Sequence, residues 1–240
     1  MLSRHSRFPR LRSLAVIPAI LAVTLVCWNA RAAEQAESSV ALPEGYAANY
    51  VIAEETASPD QKFAVIVPKD DPEEMSPVGK NYLVALQPFA ILGTLDTESP
   101  HFIGKNHGGI SAEWSNNSSV ALVTLASKWG PGDVFLLELK DGKLSRTTNL
   151  LAKAHDLLLP DYQKTKPKPE RYNDYFDFIF AGEDPVCRLE GSQRVQIDGT
   201  ATNDPKGVAD RRWNARIAGT WDIAQGRFTH HKITPSRRRR

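Results

Sequence analysis

Three short apolar runs separated by two turns, at residues 120–125, 134–139 and 144–150, constrain what this chain can fold into more than any other feature. The first two are rich in Val, Leu and Phe, are too short for helices of ordinary length and are bounded by turn formers, which predicts buried strands. Between them, Trp129-Gly130-Pro131-Gly132-Asp133 reads as a loop. Asp141-Gly142 then supplies the positive backbone φ angles of a tight hairpin and delivers the chain into the third run, which makes the unit a β-meander.

Elsewhere the same signals recur. Residues 63–67 predict a strand, the charged, proline-bounded stretch 68–74 a loop, and residues 82–86 and 90–95 two strands broken at Pro88. Leu150, Leu151, Ala154, Leu157 and Leu158 follow a helical period, with Asn149 as N-cap and Pro160 as the stop, so one short helix is expected. The basic, proline-rich stretch 164–171 reads as an extended connector and marks a subdomain boundary. Beyond it, residues 172–180 alternate loosely and predict a strand. Trp213, Ala215, Ile217, Gly219, Trp221 and Ile223 then share one face, opposite Asn214, Arg216, Ala218, Thr220 and Asp222. Val195 and Ile197 alternate likewise before this strand, and Gln225-Gly226 turns into another after it, which gives a second meander.

The polar turn Trp114-Ser115-Asn116-Asn117-Ser118-Ser119 before Val120 has an echo 57 residues earlier, where Ala57-Ser58-Pro59-Asp60-Gln61-Lys62 leads into Phe63. Both resemble the turn that opens the repeats of exported β-propeller proteins of the TolB or WD40-like type, roughly W-S-P-D-G-K before an apolar strand. Trp114 is present only in the second copy and Pro59-Asp60 only in the first, and Gln61 and Ser118 stand where that pattern has glycine. The resemblance implies a fold and no functional residue. A closed propeller needs at least four blades, more than this chain has room for. The expected fold is therefore mainly β, with antiparallel meanders forming a partial propeller-like sheet stack or a β-sandwich, plus the one helix.

Four arginines before residue 13, an apolar run over residues 14–28 and the small-x-small triplet Ala30-Arg31-Ala32 read as an export signal spanning residues 1–32. The run is shorter than the ~20 residues that span a bilayer, so cleavage, and a periplasmic or secreted product without a transmembrane segment, is expected. Cys27 follows Val26, not the small residue that precedes a lipidated cysteine, and falls within the signal. Cys187 then remains alone and has no intramolecular disulfide partner. Residues 33–45 read as a flexible leader, 46–163 as a propeller-like part ending in the helix, 172–233 as the C-terminal meander and 234–240 as a basic, disordered tail. Without residues 1–32 the net charge is −3, and it is −7 when Arg237 to Arg240 are set aside as well. A mildly acidic body argues against a nucleic-acid surface, because phosphate affinity comes from clustered Lys and Arg.

No motif specifies a reaction. Gly109-Ile110-Ser111-Ala112-Glu113 begins like a nucleophile elbow but lacks its second glycine. His101 and His107 with Asp96 or Glu98 lack metal-ligand spacing, and the adjacent His230 and His231 point to opposite faces of a predicted strand. Asn116-Asn117-Ser118-Ser119 matches a glycosylation acceptor twice. Asp174, Asp177, Glu183 and Asp184 form an acidic cluster among aromatics that suits a cation or a sugar, or is the wet face of a half-buried strand. Binding residues collect on loops carried by rigid scaffolds, which points to residues 129–133 and 172–184, with Trp129, Asp174, Tyr175, Asp177 and Asp184 as the candidates. No cofactor, metal or catalytic residue is predicted. The sequence favours a noncatalytic binding or scaffold module of the cell envelope, with an envelope protein or glycan as partner. The alternative is a small hydrolase or carbohydrate-active enzyme using the acidic cluster.

Overall fold

In the first of the two polar turns, the Ser58 hydroxyl accepts from the backbone N–H of Lys62 and Phe63 at 3.1 and 3.0 Å and donates to the Asp60 carboxylate at 2.8 Å. In the second, the Ser115 hydroxyl accepts from Val120 N–H at 3.0 Å and donates to the Asn117 amide oxygen at 2.8 Å. Gln61 and Ser118 take φ of 57° and 54°, the left-handed conformation for which glycine is the default. The two turns are thus built alike, and each launches a strand into the core.

The computed structural model describes residues 41–182 and 184–235. The expected signal peptide and the terminal arginines lie outside the described residues. A four-residue helix, α1 (Glu44–Ala47), begins at the end of the expected leader and runs past it. The first sheet is β1 (Tyr50–Ala53), β2 (Phe63–Pro68), β3 (Asn81–Leu86) and β4 (Phe89–Leu95); the second is β5 (Gly109–Trp114), β6 (Val120–Ser127), β7 (Gly130–Lys140) and β8 (Lys143–Asn149). After α2 (Leu150–Lys164) come β9 (Ile179–Ala181), β10 (Cys187–Glu190), β11 (Arg194–Thr202), β12 (Asn214–Asp222) and β13 (Arg227–Pro235). All pairing is antiparallel; each sheet keeps its strands in chain order, and β9 and β10 share the length of β11. Among the described residues the mainly β reading with one helix longer than a single turn holds, with three meanders instead of two. Among the described residues no helix is long and apolar enough to cross a membrane.

The second sheet is the shared wall. Ala121, Val123, Leu125, Phe135 and Leu137 pack with Val65, Val67 and Leu83 of the first sheet. Their neighbours Val120, Leu122, Val134 and Leu136 pack with α2 and with Val195, Ile197, Ala215, Ile217 and Trp221 of the third sheet. Burial on both faces is why β6 and β7 read as continuous apolar runs, whereas β12, wet on one side, alternates. The face expected from Trp213 to Ile223 is the buried one. Residues on both sides of the stretch 164–171 share the core of α2 and the third sheet.

Three local expectations are corrected. Residues 129–133 are not a loop: the turn is confined to Lys128 and Trp129, and β7 begins at Gly130, with Pro131 accommodated beside a register shift between Leu125 and Ala126. Residues 172–180 are a strand only from Ile179, because the Asn173 side chain accepts from the N–H of Tyr175 and Phe176 at 2.9 and 3.2 Å and bends the preceding backbone away from extension. The helix passes through Pro160 to Lys164. Beyond the proline, Tyr162 packs on Phe178 and Trp213, and the Asp161 carboxylate accepts from Trp213 Nε1 at 3.1 Å, so tertiary contacts hold a turn that local chemistry would end.

Candidate binding cleft

Where the second and third sheets part, they leave a cleft of about 720 Å³. Ser111 and Glu113 of β5, Thr124 of β6, the Lys128–Trp129 turn and the stretch from Asp184 to Cys187 line it. The wall from β5 and β6 mixes polar and apolar side chains: Ser111 stands opposite Thr124, and Glu113 opposite the core residue Leu122.

Several contacts brace the walls. The Glu113 carboxylate accepts from Leu189 N–H at 2.9 Å and ties β5 to β10, while Gly182 N–H donates to the Trp129 carbonyl at 3.2 Å. Gly130, at φ 152°, brings the hairpin so near β9 that a Cβ would lie 2.6 Å from the Phe180 carbonyl oxygen. Only glycine permits that approach. The Trp129 ring lies edge-on to Tyr172 at 6.4 Å and 81°, Tyr172 stacks on Phe176 at 5.9 Å, and the Lys128 amine sits 4.9 Å from the Trp129 ring centroid. The two loop regions marked in the sequence therefore meet through Trp129 and Tyr172.

The five candidates divide. Trp129 and Asp184 line the cleft; Asp174, Tyr175 and Asp177 do not. Asp177 pairs with Arg171 at 3.3 Å, and the Asp174 backbone carbonyl accepts from the same guanidinium at 3.2 Å. Tyr175 is 93% exposed. Asp174, Asp177 and Asp184 thus do not line one site, Glu183 lies outside the described residues, and no group of three or more His, Cys, Asp or Glu among the described residues is placed to hold a metal ion. Ser111 and Glu113 drew notice in the sequence only as part of an incomplete nucleophile elbow and Thr124 not at all, because their place in the cleft comes from the divergence of two sheets.

Cys187 forms part of the cleft lining, but burial pushes its thiol up to about 12, so at neutral pH it is a protonated, weak nucleophile. Ser111 lies mid-strand, not at a strand-to-helix turn. His155 lies flat on Phe178 at 4.2 Å, and burial lowers its pKa against the pull of Asp156 and Asp177. His101 is clamped by Asn81, whose amide accepts from its N–H at 2.8 Å and donates to its carbonyl at 2.7 Å. His230 and His231 pair with Thr220 and Gly219 as successive residues of β13, on opposite faces. Comparison of the sequence with protein-family models and with curated proteins gives no match.

Proposed function

We propose that this chain is an exported, noncatalytic binding module of the cell envelope, and that it takes a polar partner, foremost a glycan, in the cleft between its second and third sheets. The observation that carries this reading is that Trp129 and Asp184 line one braced cleft together with the hydroxyl groups of Ser111 and Thr124. A flat aromatic face suits a sugar ring, and fixed hydroxyls and carboxylates suit its hydroxyl groups. The protonated Cys187 thiol and the pairing of Asp177 with Arg171 weigh against the hydrolase alternative. The two like turns and the three meanders in chain order support kinship with exported propeller repeats.

The test is retention of the exported protein, with an intact mass beginning at Ala33, on immobilised envelope polysaccharide. Trp129→Ala combined with Asp184→Asn is expected to weaken retention about tenfold or more while leaving the circular dichroism spectrum unchanged. Equal retention of the double variant, or turnover in a broad hydrolase screen that the double variant loses, overturns the reading.

A further inference from the structure

The first sheet presents its other face away from the second, and there three tyrosines come together. Tyr50 of β1 and Tyr82 of β3 project from the sheet, and Tyr46 reaches in from α1. The Tyr46 and Tyr50 rings are 6.2 Å apart at 58°, and those of Tyr50 and Tyr82 5.6 Å apart at 60°. Rings so tilted wall a concavity instead of stacking into a flat surface. With Asp70, Glu74 and Ile91 they enclose a groove of about 690 Å³, within the size range of small-molecule sites.

Charge decides what such a groove can hold. Its lining contains two carboxylates, those of Asp70 and Glu74, and no Lys or Arg. Neither carboxylate has an ion-pair partner among the described residues. The adjacent Lys69 turns its amine to the Ala47 carbonyl at 2.5 Å and takes no part in the lining. Aromatic faces attract cations through their quadrupole when the cation lies within about 6 Å of the ring centroid, and nearby unpaired carboxylates add to that attraction. A strongly hydrated ammonium would resist leaving water, whereas an alkylated one is apolar outside and charged within.

We propose that this groove is a binding site for a quaternary ammonium group, free or as the headgroup of a lipid, held against the Tyr46, Tyr50 and Tyr82 rings and countered by Asp70 and Glu74. The site is separate from the cleft beside Trp129, so either can fail without the other. Saturation-transfer NMR on the intact protein, with choline against its uncharged isostere 3,3-dimethylbutan-1-ol, reads binding directly, and flotation with phosphatidylcholine vesicles reads the lipid source. Choline is expected to saturate the protein and to bind at least about tenfold tighter than the alcohol, a preference set by cation–π attraction. Tyr50→Leu with Tyr82→Leu should abolish binding. The surface pair Asp70→Asn with Glu74→Gln, which cannot empty a core, should weaken it roughly fivefold. Vesicle binding without choline binding, lost in the same variants, assigns the headgroup. Equal binding of choline and the alcohol, no binding to choline or vesicles, or binding indifferent to the Asp70/Glu74 pair overturns the proposal.

Discussion

Asp60 and Asn117 do the same work in two turns, each accepting from a serine hydroxyl two residues before it, and they differ in charge. Slight burial would raise the Asp60 pKa, but hydrogen bonds from Ser58 and Lys62 outweigh it and hold the carboxyl at about 2. A carboxylate whose folded pKa lies below its unfolded value stabilises the fold above the unfolded value of ~3.9, and that contribution is lost as pH falls through about 2. Asn117 shows that a neutral amide can fill the place. Asp60→Asn is therefore expected to change stability at pH 7 by less than about 1 kcal/mol. It should also flatten the loss of stability between pH 4 and pH 2.5 in urea titrations. An unchanged pH slope would show that the carboxylate contributes nothing to the turn. The echo itself was legible in the residues, but the left-handed φ at Gln61 and Ser118 was not, since neither is the glycine that such a position favours.

Elements were legible where one physical cause decided them. The period-2 pattern from Trp213 to Ile223 and the N-cap at Asn149, whose side chain accepts from Ala152 N–H at 3.0 Å, both followed from local chemistry. They failed where tertiary contacts or a side-chain turn overrode the pattern. β1 and β5 lie at the first edges of their sheets, and neither announces itself: β1 is apolar but only four residues long, and β5 mixes Ser111 and Glu113 with its apolar residues. Pro160 is the clearest override. It is exposed, while Tyr162 two residues on is 3% exposed. Pro160→Ala restores a backbone donor to the helix and should raise stability by about 1–3 kcal/mol. Tyr162→Ala empties the pocket between Phe178 and Trp213 and should cost about 3–5 kcal/mol, whereas Tyr162→Phe should be near neutral, because the buried hydroxyl has no hydrogen-bond partner among the described residues. Thermal melts of the three variants test this, and a loss of stability in Pro160→Ala would mean that the proline's bend is itself needed for packing.

At the scale of the whole molecule, two cores meet back to back across one sheet. Leu136 and Leu137 are neighbours on β7, both fully buried, and they enter different cores: Leu136 packs with α2 and the third sheet, Leu137 with the first sheet. The cleft depends on the same sheet, since Glu113 and Trp129 are held by strands of the shared wall. If that wall couples the cores, damage to either must melt both. Leu136→Ala and Leu137→Ala each remove a leucine from a packed interior and should cost about 2–5 kcal/mol. Unfolding of each variant is followed by far-UV circular dichroism, which reports all three sheets, and by tryptophan fluorescence, which for the single-tryptophan variant keeping Trp213 reports the third sheet alone. Coincident transitions are expected for both substitutions, because neither face of β6 and β7 can lose its cover without exposing strands that the other core needs. A Leu137→Ala protein in which the Trp213 signal persists after half the strand signal has gone would show instead that the third sheet and helix stand without the first, and that the cleft would survive the loss of one of its supporting layers.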